Sequence, residues 1–298
     1  MTDQPDRHDW LYYRVYVASI PEIRHLIEEV VAPAVREFTN DHPELHWFFL
    51  QYVDLVGLQL RLRLRGTPER LAAYERVLDP AFDAALDRLA SGTAPVPAPP
   101  AGPFPARRAA VKRLYEPEFD KFGGPAGVAL AERLMRRGSE TALRCSGPRH
   151  RAARTAIAAA HTLLIVSRLP ERERTAFLHQ YAWYWSGRGL RDAPPGRPLP
   201  RLAHDDPAAH RRAAILRAKI AQVLADPDLG PELTAYADDF WRLVREAGLA
   251  RPDYLTAFHH IHLMNNRLGA VPGEETQIAR LLWLGRPAAP VPVPAGGA

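Results

Sequence analysis

The segment from Glu44 to Gly66, ELHWFFLQYVDLVGLQLRLRLRG, constrains the fold more than any other part of this sequence. Two apolar runs, residues 45–53 and 58–64, flank a short connector at residues 54–57. Leucine alternates strictly with glutamine and arginine in the second run, which predicts a β-hairpin with one leucine face and one polar face. A shift of one residue would expose the leucines and bury the arginines, so the register is firmly set.

The polar face of this hairpin has two interpretations. We assign to it Gln51, Gln59, Arg61 and Arg63. A row of arginines is often a solvated face that binds nothing. Alternatively, the face is the floor of a cleft, in which guanidinium groups bind carboxylates or peptide carbonyls. The sequence leaves both interpretations open.

The rest of the first 120 residues predicts two more strands and two helices. Residues 10–18, rich in aromatic and β-branched side chains, form a strand, and Ser19 to Glu22 form a capping box for a helix that continues to about Phe38. Thr67 caps a second helix over about residues 69–89, and residues 109–115 form the last strand. The order strand, helix, strand, strand, helix, strand is that of a ferredoxin-like (split βαβ) fold.

From Gly123 onward the sequence predicts helices alone. The helical patterns cover about residues 126–144, 151–169, 171–185, 207–225, 231–247, 252–268 and 274–284. Proline-rich stretches at 94–105 and 192–200 predict surface loops. We therefore expect one α+β domain over residues 1–298, with a sheet part at about 8–122, a helical part at about 123–285 and a disordered tail at 286–298.

Composition excludes several classes of function. The net charge is +5, with 47% apolar and 24% charged residues, as in soluble globular proteins. No basic run contains interleaved aromatic residues, so nucleic acid is not an expected partner. No apolar stretch approaches the roughly 18 residues that span a membrane, and the first ten residues lack the apolar core of a signal peptide. We therefore predict a cytoplasmic protein that binds no membrane.

Cofactor and metal signatures are likewise missing from the sequence. Cys145 is the sole cysteine, and no phosphate-binding loop or nucleotide fingerprint occurs. Among His259, His260 and His262, the pair His259 and His262 has the i, i+3 spacing of zinc ligands, but no second cluster supplies an outside ligand, so we predict no metal. Instead, His262 and Asn266 share one helical face at i and i+4, where a histidine can serve as a general acid or base.

Two other clusters could carry chemistry. Residues 115–124, YEPEFDKFGG, combine Tyr115, Glu118 and Lys121 at the end of a strand, although a plain strand-to-helix turn would have the same composition. Residues 179–186, HQYAWYWS, contain Tyr184, and at helical spacing such aromatic residues usually belong to a core.

Four of these stretches, in this order and spacing, resemble the carboxy-terminal domain of lantibiotic dehydratases, which also occurs in thiopeptide biosynthesis proteins. They are WLYY at residue 10, WFFLQY with LRLRL in the hairpin, YEPE with GG, and HLMNNRLG from residue 262. The resemblance extends from Trp10 to about Leu284.

The resemblance implies one of two chemistries. Elimination domains remove glutamate from glutamylated serine or threonine, whereas pyridine synthases join two dehydroalanines of a linear, azole-containing precursor in a formal aza-[4+2] cycloaddition, with loss of water and leader peptide. In elimination domains the position of Gln51 is commonly arginine, that of Gln59 is often basic or histidine, and that of Lys121 is usually arginine. Since lysine cannot copy the bidentate guanidinium fork, we favour the pyridine synthase. A non-catalytic scaffold that binds the leader is a third hypothesis.

The resemblance also implies roles for particular residues. The implied catalytic residues are His262, Tyr115, Glu118 and Tyr184. The implied substrate-binding residues are Gln51, Gln59, Arg61, Lys121, Asn266 and Arg267. The expected partners are the precursor peptide, with its leader and modified core, and other enzymes of the pathway. No cofactor is expected.

Overall fold

The structure, a computed structural model, describes residues 8–97, 108–188 and 207–285. The loop predicted at 192–200, most of the loop predicted at 94–105 and the tail predicted at 286–298 lie outside the described residues.

Four strands form one antiparallel sheet near the amino terminus. They are β1 (Asp9–Val17), β2 (His46–Val53), β3 (Leu58–Gly66) and β4 (Ala109–Lys112), in the spatial order β2-β3-β1-β4. This order confirms the predicted ferredoxin-like arrangement. Strand β4 is shorter than predicted, because after the hydrogen bond from Arg113 N–H to Tyr12 O the chain leaves the sheet. Residues 113–118 therefore cross one face of the sheet.

Strand β3 has the predicted buried leucine face. Leu60, Leu62 and Leu64 are completely buried. Much of the opposite face is covered too, because Gln59 is completely buried and Arg63 is 8% exposed, while Arg65 at the end of the strand is exposed. Both faces of β3 therefore pack against other parts of the protein, which rules out the interpretation of a plain solvated arginine row.

Helices cover the leucine face of the sheet. They are α1 (Ile20–Leu26), a π-helical turn (Ile27–Val31), α2 (Ala32–Asp41) and α3 (Pro68–Ala90). Ser19 Oγ accepts the N–H of Glu22 at the start of α1, and Thr67 Oγ1 accepts that of Arg70 at the start of α3. These caps confirm the predicted helix starts, since each satisfies a main-chain donor that the first helical turn leaves free.

The remaining described chain is helical, as predicted. Its elements are α4 (Phe119–Phe122), α5 (Pro125–Cys145), a 3₁₀ helix (Pro148–Ala153), α6 (Arg154–Val166), α7 (Glu171–Trp183), a π-helical segment (Tyr184–Arg188), α8 (Pro207–Ala225), α9 (Leu229–Ala247), α10 (Asp253–Arg267) and α11 (Pro272–Leu284). Helix α4, one turn long, was not predicted. In the described ranges, no helix combines the length and the apolarity that crossing a membrane requires.

Helices α5 and α10 cover β2, the edge strand of the sheet. Ser139 Oγ on α5 accepts the main-chain N–H of Phe49 at 3.1 Å. On α10, the Asn266 amide accepts the N–H of Gln51 at 2.8 Å and donates to its carbonyl at 2.7 Å. These bonds satisfy edge groups that would otherwise be unpaired, and they fix α10 beside the sheet.

Candidate functional site

A cleft of about 300 Å³ opens on the polar face of the sheet, beside α10 and residues 113–122. Its floor comes from β1, β2 and β3, and its walls come from α5, α10 and the segment after β4. The lining residues singled out from the sequence are Gln51, Arg61, Arg63, Tyr115, Glu118, Lys121, His262 and Asn266. Segments far apart in sequence thus meet at one concave surface, the usual form of a small-molecule or peptide site.

Two arginines on the floor lie against aromatic rings. The Arg61 guanidinium is 3.5 Å from the centre of the Tyr52 ring, and its Nε donates to Gln59 Oε1 at 3.2 Å. The Arg63 guanidinium lies 4.3 Å from the Tyr12 ring and 4.9 Å from the Tyr115 ring. Within the described chain, no carboxylate lies within 4.0 Å of either guanidinium. Stacking leaves the edge of a guanidinium free to donate hydrogen bonds.

Tyr115 and Glu132 form a hydrogen-bonded pair at the wall of the cleft. The Tyr115 hydroxyl donates to Glu132 Oε1 at 2.9 Å. Burial, followed by the nearby Glu132 carboxyl, raises the pKa of Tyr115, and burial also raises the pKa of Glu132. Tyr115 therefore remains a neutral phenol near neutral pH, and its hydroxyl is a hydrogen-bond donor.

His262 is held on two sides where it reaches the cleft. Its Nδ1 lies 2.9 Å from Glu275 Oε1 on α11, and Trp185 stacks on its imidazole at 3.8 Å with an interplanar angle of 16°. Glu275 is completely buried, whereas the His262 side chain is 26% exposed. The pair thus joins a buried carboxylate to an imidazole that borders the cleft.

The structure corrects the position predicted for Gln51. In the hairpin Gln51 is opposite Leu60, whereas Tyr52 is opposite Gln59. Directly opposed residues point to the same face, so the Gln51 side chain lies on the leucine face and not with Gln59 and Arg61. It is buried, and its Nε2 donates to the main-chain oxygen of Arg267. The error came from assigning a face across the turn, where periodicity does not carry over.

Gln59 and Tyr184, two of the predicted residues, do not line the cleft. Gln59 is completely buried, and its amide donates to Asp54 Oδ2 at 2.5 Å while its oxygen accepts from Arg61. Tyr184 is exposed on the π-helical segment, where its ring packs edge-on against Phe258. Tyr184 is thus adjacent in sequence to the residue that stacks on His262, but is outside the cleft lining.

Glu118 and Lys121 occupy the rim of the cleft. Lys121 Nζ donates to Glu118 Oε2 at 2.8 Å, and both side chains are exposed. The turn that carries them ends at Gly123 and Gly124, with φ of 81° and 89°. These positive φ angles explain the glycine pair, since side-chain-bearing residues rarely adopt them.

Arg267 connects α10 to α5 in the protein interior. It is 3% exposed, its Nε donates to Ser139 Oγ at 3.0 Å, and its Nη1 donates to Leu263 O at 3.0 Å. Ser139 in turn accepts the N–H of Phe49. Asn266 and Arg267 therefore hold α10 in place, while His262, one turn earlier, borders the cleft.

Sequence reasoning missed Glu132, Trp185 and Glu275. Glu275 follows Glu274 in the first turn of α11, a position that reads as an ordinary helix-start acid. Glu274 alone accepts the N–H of Val271 there, so the helix start gives no reason for a second acid at position 275. This second acid was the one signal in the sequence that could have pointed to Glu275. Among the described residues, no group of three or more histidine, cysteine, aspartate or glutamate side chains is placed to hold a metal ion.

Comparison with known proteins identifies the family. The family model described as the carboxy-terminal part of the lantibiotic biosynthesis dehydratase matches residues 10–284. The chain belongs to this family. Among curated proteins, none matches the sequence significantly.

Solved structures show that the lantibiotic dehydratase C-terminal fold recurs at low sequence identity. The tRNA-dependent lantibiotic dehydratase MibB from Microbispora sp. 107891 matches with a TM-score of 0.59 and 20% identity, over 96% of this chain and 28% of that chain. The pyridine synthase TbtD from thiomuracin biosynthesis matches with a TM-score of 0.57 and 18% identity, over 92% of this chain and 96% of that chain. TsrL matches with a TM-score of 0.52 and 17% identity, over 95% of this chain and 99% of that chain.

The chain spans only 28% of the length of MibB, but nearly the whole length of TbtD and of TsrL. By family and by fold it is thus related to enzymes of lantibiotic and thiomuracin biosynthesis.

Proposed function

We propose that this protein is a thiopeptide macrocyclase that forms a central pyridine. Its substrate would be a linear, azole-containing precursor peptide with two dehydroalanines and a leader. The observation that carries the proposal is the presence of two proton-handling pairs on one cleft, His262 with Glu275 and Tyr115 with Glu132. The match to TbtD over nearly the whole of both chains supports the same assignment.

The first chemical step needs a proton taken from nitrogen and one given to oxygen. One amide of the substrate must become its imidic-acid tautomer to complete the azadiene. His262 would accept the amide proton and return it to the carbonyl oxygen, to which the neutral Tyr115 phenol would donate a hydrogen bond in place of Glu132. Two carbon–carbon bonds then form at the expense of the alkene π bonds. Loss of water and of the leader as its amide gives the aromatic pyridine, and no oxidant is consumed.

Binding would supply much of the rate enhancement. Both alkenes belong to one flexible chain, and holding them in a reactive pose can lower the barrier by about 7–11 kcal/mol at best. The stacked Arg61 and Arg63 offer edge donors to peptide carbonyls on the cleft floor. Glu118 and Lys121 would contact the peptide at the rim, and the exposed Tyr184 would contact it outside the cleft.

Other predicted residues would act indirectly. Gln59 would orient Arg61, to which it is hydrogen-bonded, and Gln51, Asn266 and Arg267 would hold α10 against the sheet. The peptide would be the principal partner, with its leader docked outside the cleft so that the core is held near the cleft.

Glutamate elimination is the second candidate, and one observation favours it. Arg61 and Arg63 have no carboxylate partner within the described chain, so they could bind the side-chain carboxylate of a glutamylated serine or threonine. His262 would then remove the α-proton.

Mass spectrometry of two synthetic peptides separates these functions. The first carries a leader, azoles and two dehydroalanines, and the second is glutamylated on serine. We expect the purified protein, without added cofactor, to release leader amide from the first and to leave a macrocycle lighter by leader plus water. His262→Ala should abolish this conversion. Glutamate release from the second peptide would replace the proposal by elimination, and binding without conversion of either would replace it by the non-catalytic scaffold.

A further inference from the structure

Glu275 is a fully buried carboxylate that borders no cleft and has no lysine or arginine partner in the described chain. Its contacts are the Tyr181 hydroxyl, the Asn265 amide and His262 Nδ1. An ionised carboxylate without a cation is costly to bury, so a residue that only filled space here would be apolar. The placement of Glu275 therefore calls for a role that involves its charge or its acceptor oxygens.

The neighbours of Glu275 determine how it meets His262. Burial, together with the adjacent carboxyl of Glu275, raises the pKa of Tyr181 far above its ordinary value, so its hydroxyl remains a donor. Tyr181 and the Asn265 amide both donate to Oε2. Oε1 is thus left for His262, and where this oxygen accepts the hydrogen bond, as the oxygens of a carboxylate do, Nδ1 carries the proton.

The imidazole plane is fixed as well as its tautomer. Trp185 lies parallel to the ring on one side, and Asn266 anchors the next turn of α10 to β2. With Nδ1 occupied by Glu275, Nε2 is the one ring nitrogen left for a molecule in the cleft that His262 lines.

We infer that Glu275 is the positioning residue of the site: it holds His262 in the Nδ1–H tautomer and stabilises the imidazolium that forms when Nε2 accepts a proton. Tyr181 and Asn265 keep Glu275 in the acceptor role. The catalytic part of this inference rests on the proposed function, since Glu275 acts only through His262. The tautomer does not rest on it, because the hydrogen bond exists without substrate.

The first experiment reads the tautomer directly and needs no substrate. Nitrogen-15 NMR of protein labelled at histidine distinguishes Nδ1–H from Nε2–H imidazole, and His262→Gln identifies the signal. We expect the Nδ1–H form at His262 in the wild-type protein near pH 7.5. The Nε2–H form would overturn the inference, whatever the protein catalyses.

The second experiment measures the effect of Glu275 on turnover. Glu275→Gln keeps the volume and removes the charge, and we expect kcat to fall about 10- to 100-fold with KM unchanged. Glu22→Gln is the matched control, because Glu22 is equally buried but bonds to Arg108 on the opposite side of the sheet.

The outcomes of the two experiments are separable. Wild-type turnover that Glu275→Gln reduces no more than Glu22→Gln does would overturn the positioning role. A wild-type protein that converts neither peptide would refute the proposed function. In that case the NMR signal would still show which tautomer His262 adopts. If Glu275→Gln does not fold, Glu275→Asp replaces it; with the carboxylate retained but shortened, we expect partial loss of kcat at unchanged KM.

Discussion

Single residues at the cleft differ in how far their chemistry depends on their surroundings. Arg61 and Arg63 are cations by their nature, but only stacking on tyrosine rings allows Arg63 to be almost fully buried without a carboxylate partner. Tyr115 is a donor because burial and Glu132 keep its phenol neutral. His262 is held at Nδ1 by Glu275. The sequence names each of these groups, and the neighbours determine their protonation and direction.

Replacement of Tyr115 by phenylalanine tests the donor role at the residue scale. Tyr115→Phe removes the hydroxyl and keeps the ring that stacks on Arg63, so we expect kcat for pyridine formation to fall about 100-fold or more. Steady-state assays by mass spectrometry measure the change. Tyr74→Phe removes a buried hydroxyl on α3, on the other face of the sheet, and should retain full turnover. Equal rates for both variants would show that Tyr115 has no donor role.

At the scale of elements, the contact between α10 and the edge strand β2 positions the site. Asn266 pairs with both main-chain groups of Gln51, and Arg267 bonds to Ser139, which itself accepts the N–H of Phe49. The helix thereby substitutes for a further strand at this edge. Sequence periodicity placed His262 and Asn266 on one face of a helix, but it could not show that Asn266 binds a strand more than 200 residues earlier.

Replacement of Asn266 tests this contact. Asn266→Ala leaves the N–H and the carbonyl of Gln51 without partners at a partly buried edge, so we expect unfolding stability to fall by about 2 kcal/mol. Urea unfolding measures the loss, and the Gln51 amide should exchange faster with deuterium. Asn40→Ala, at an exposed position of α2, is the control and should change stability little. An unchanged midpoint in Asn266→Ala would contradict the proposed role of the contact.

At the scale of the whole molecule, buried histidines couple stability to pH. Burial lowers the pKa of His161 to about 3 and, with nearby arginines, those of His46 and His259 to about 4. Burial also lowers the pKa of His260 well below its ordinary value. The folded protein keeps these rings neutral, whereas the unfolded chain binds protons at an ordinary histidine pKa near 6.5. Stability is therefore present above about pH 6.5 and is lost as the pH falls toward 4.

His161 offers a direct test of this coupling. Each such histidine contributes a loss of about 1.4 kcal/mol per pH unit between about pH 6 and 4. We expect His161→Leu to reduce the slope of unfolding free energy against pH by that amount, as measured by urea unfolding at several pH values. Tyr236→Phe, at a ring 5.3 Å from His161, should shift stability equally at all these pH values. A slope unchanged in His161→Leu would refute the prediction.

By itself, the sequence determined the order of the elements and the two faces of β3. The leucine side of β3 must be buried, and the caps at Ser19 and Thr67 set the starts of α1 and α3. The motifs also led to most of the residues that line the cleft. These features depend on local periodicity and main-chain hydrogen bonding, which a single stretch of sequence encodes.

The tertiary structure alone decided which groups face one another across the chain. The face on which Gln51 lies, the stacking of Trp185 on His262, and the pairing of His262 with Glu275 arise where separate segments pack. Such contacts depend on the angles and distances between elements, about which the periodicity within one element gives no information. For this reason the residues that hold the proposed catalytic groups in place emerged only from the fold.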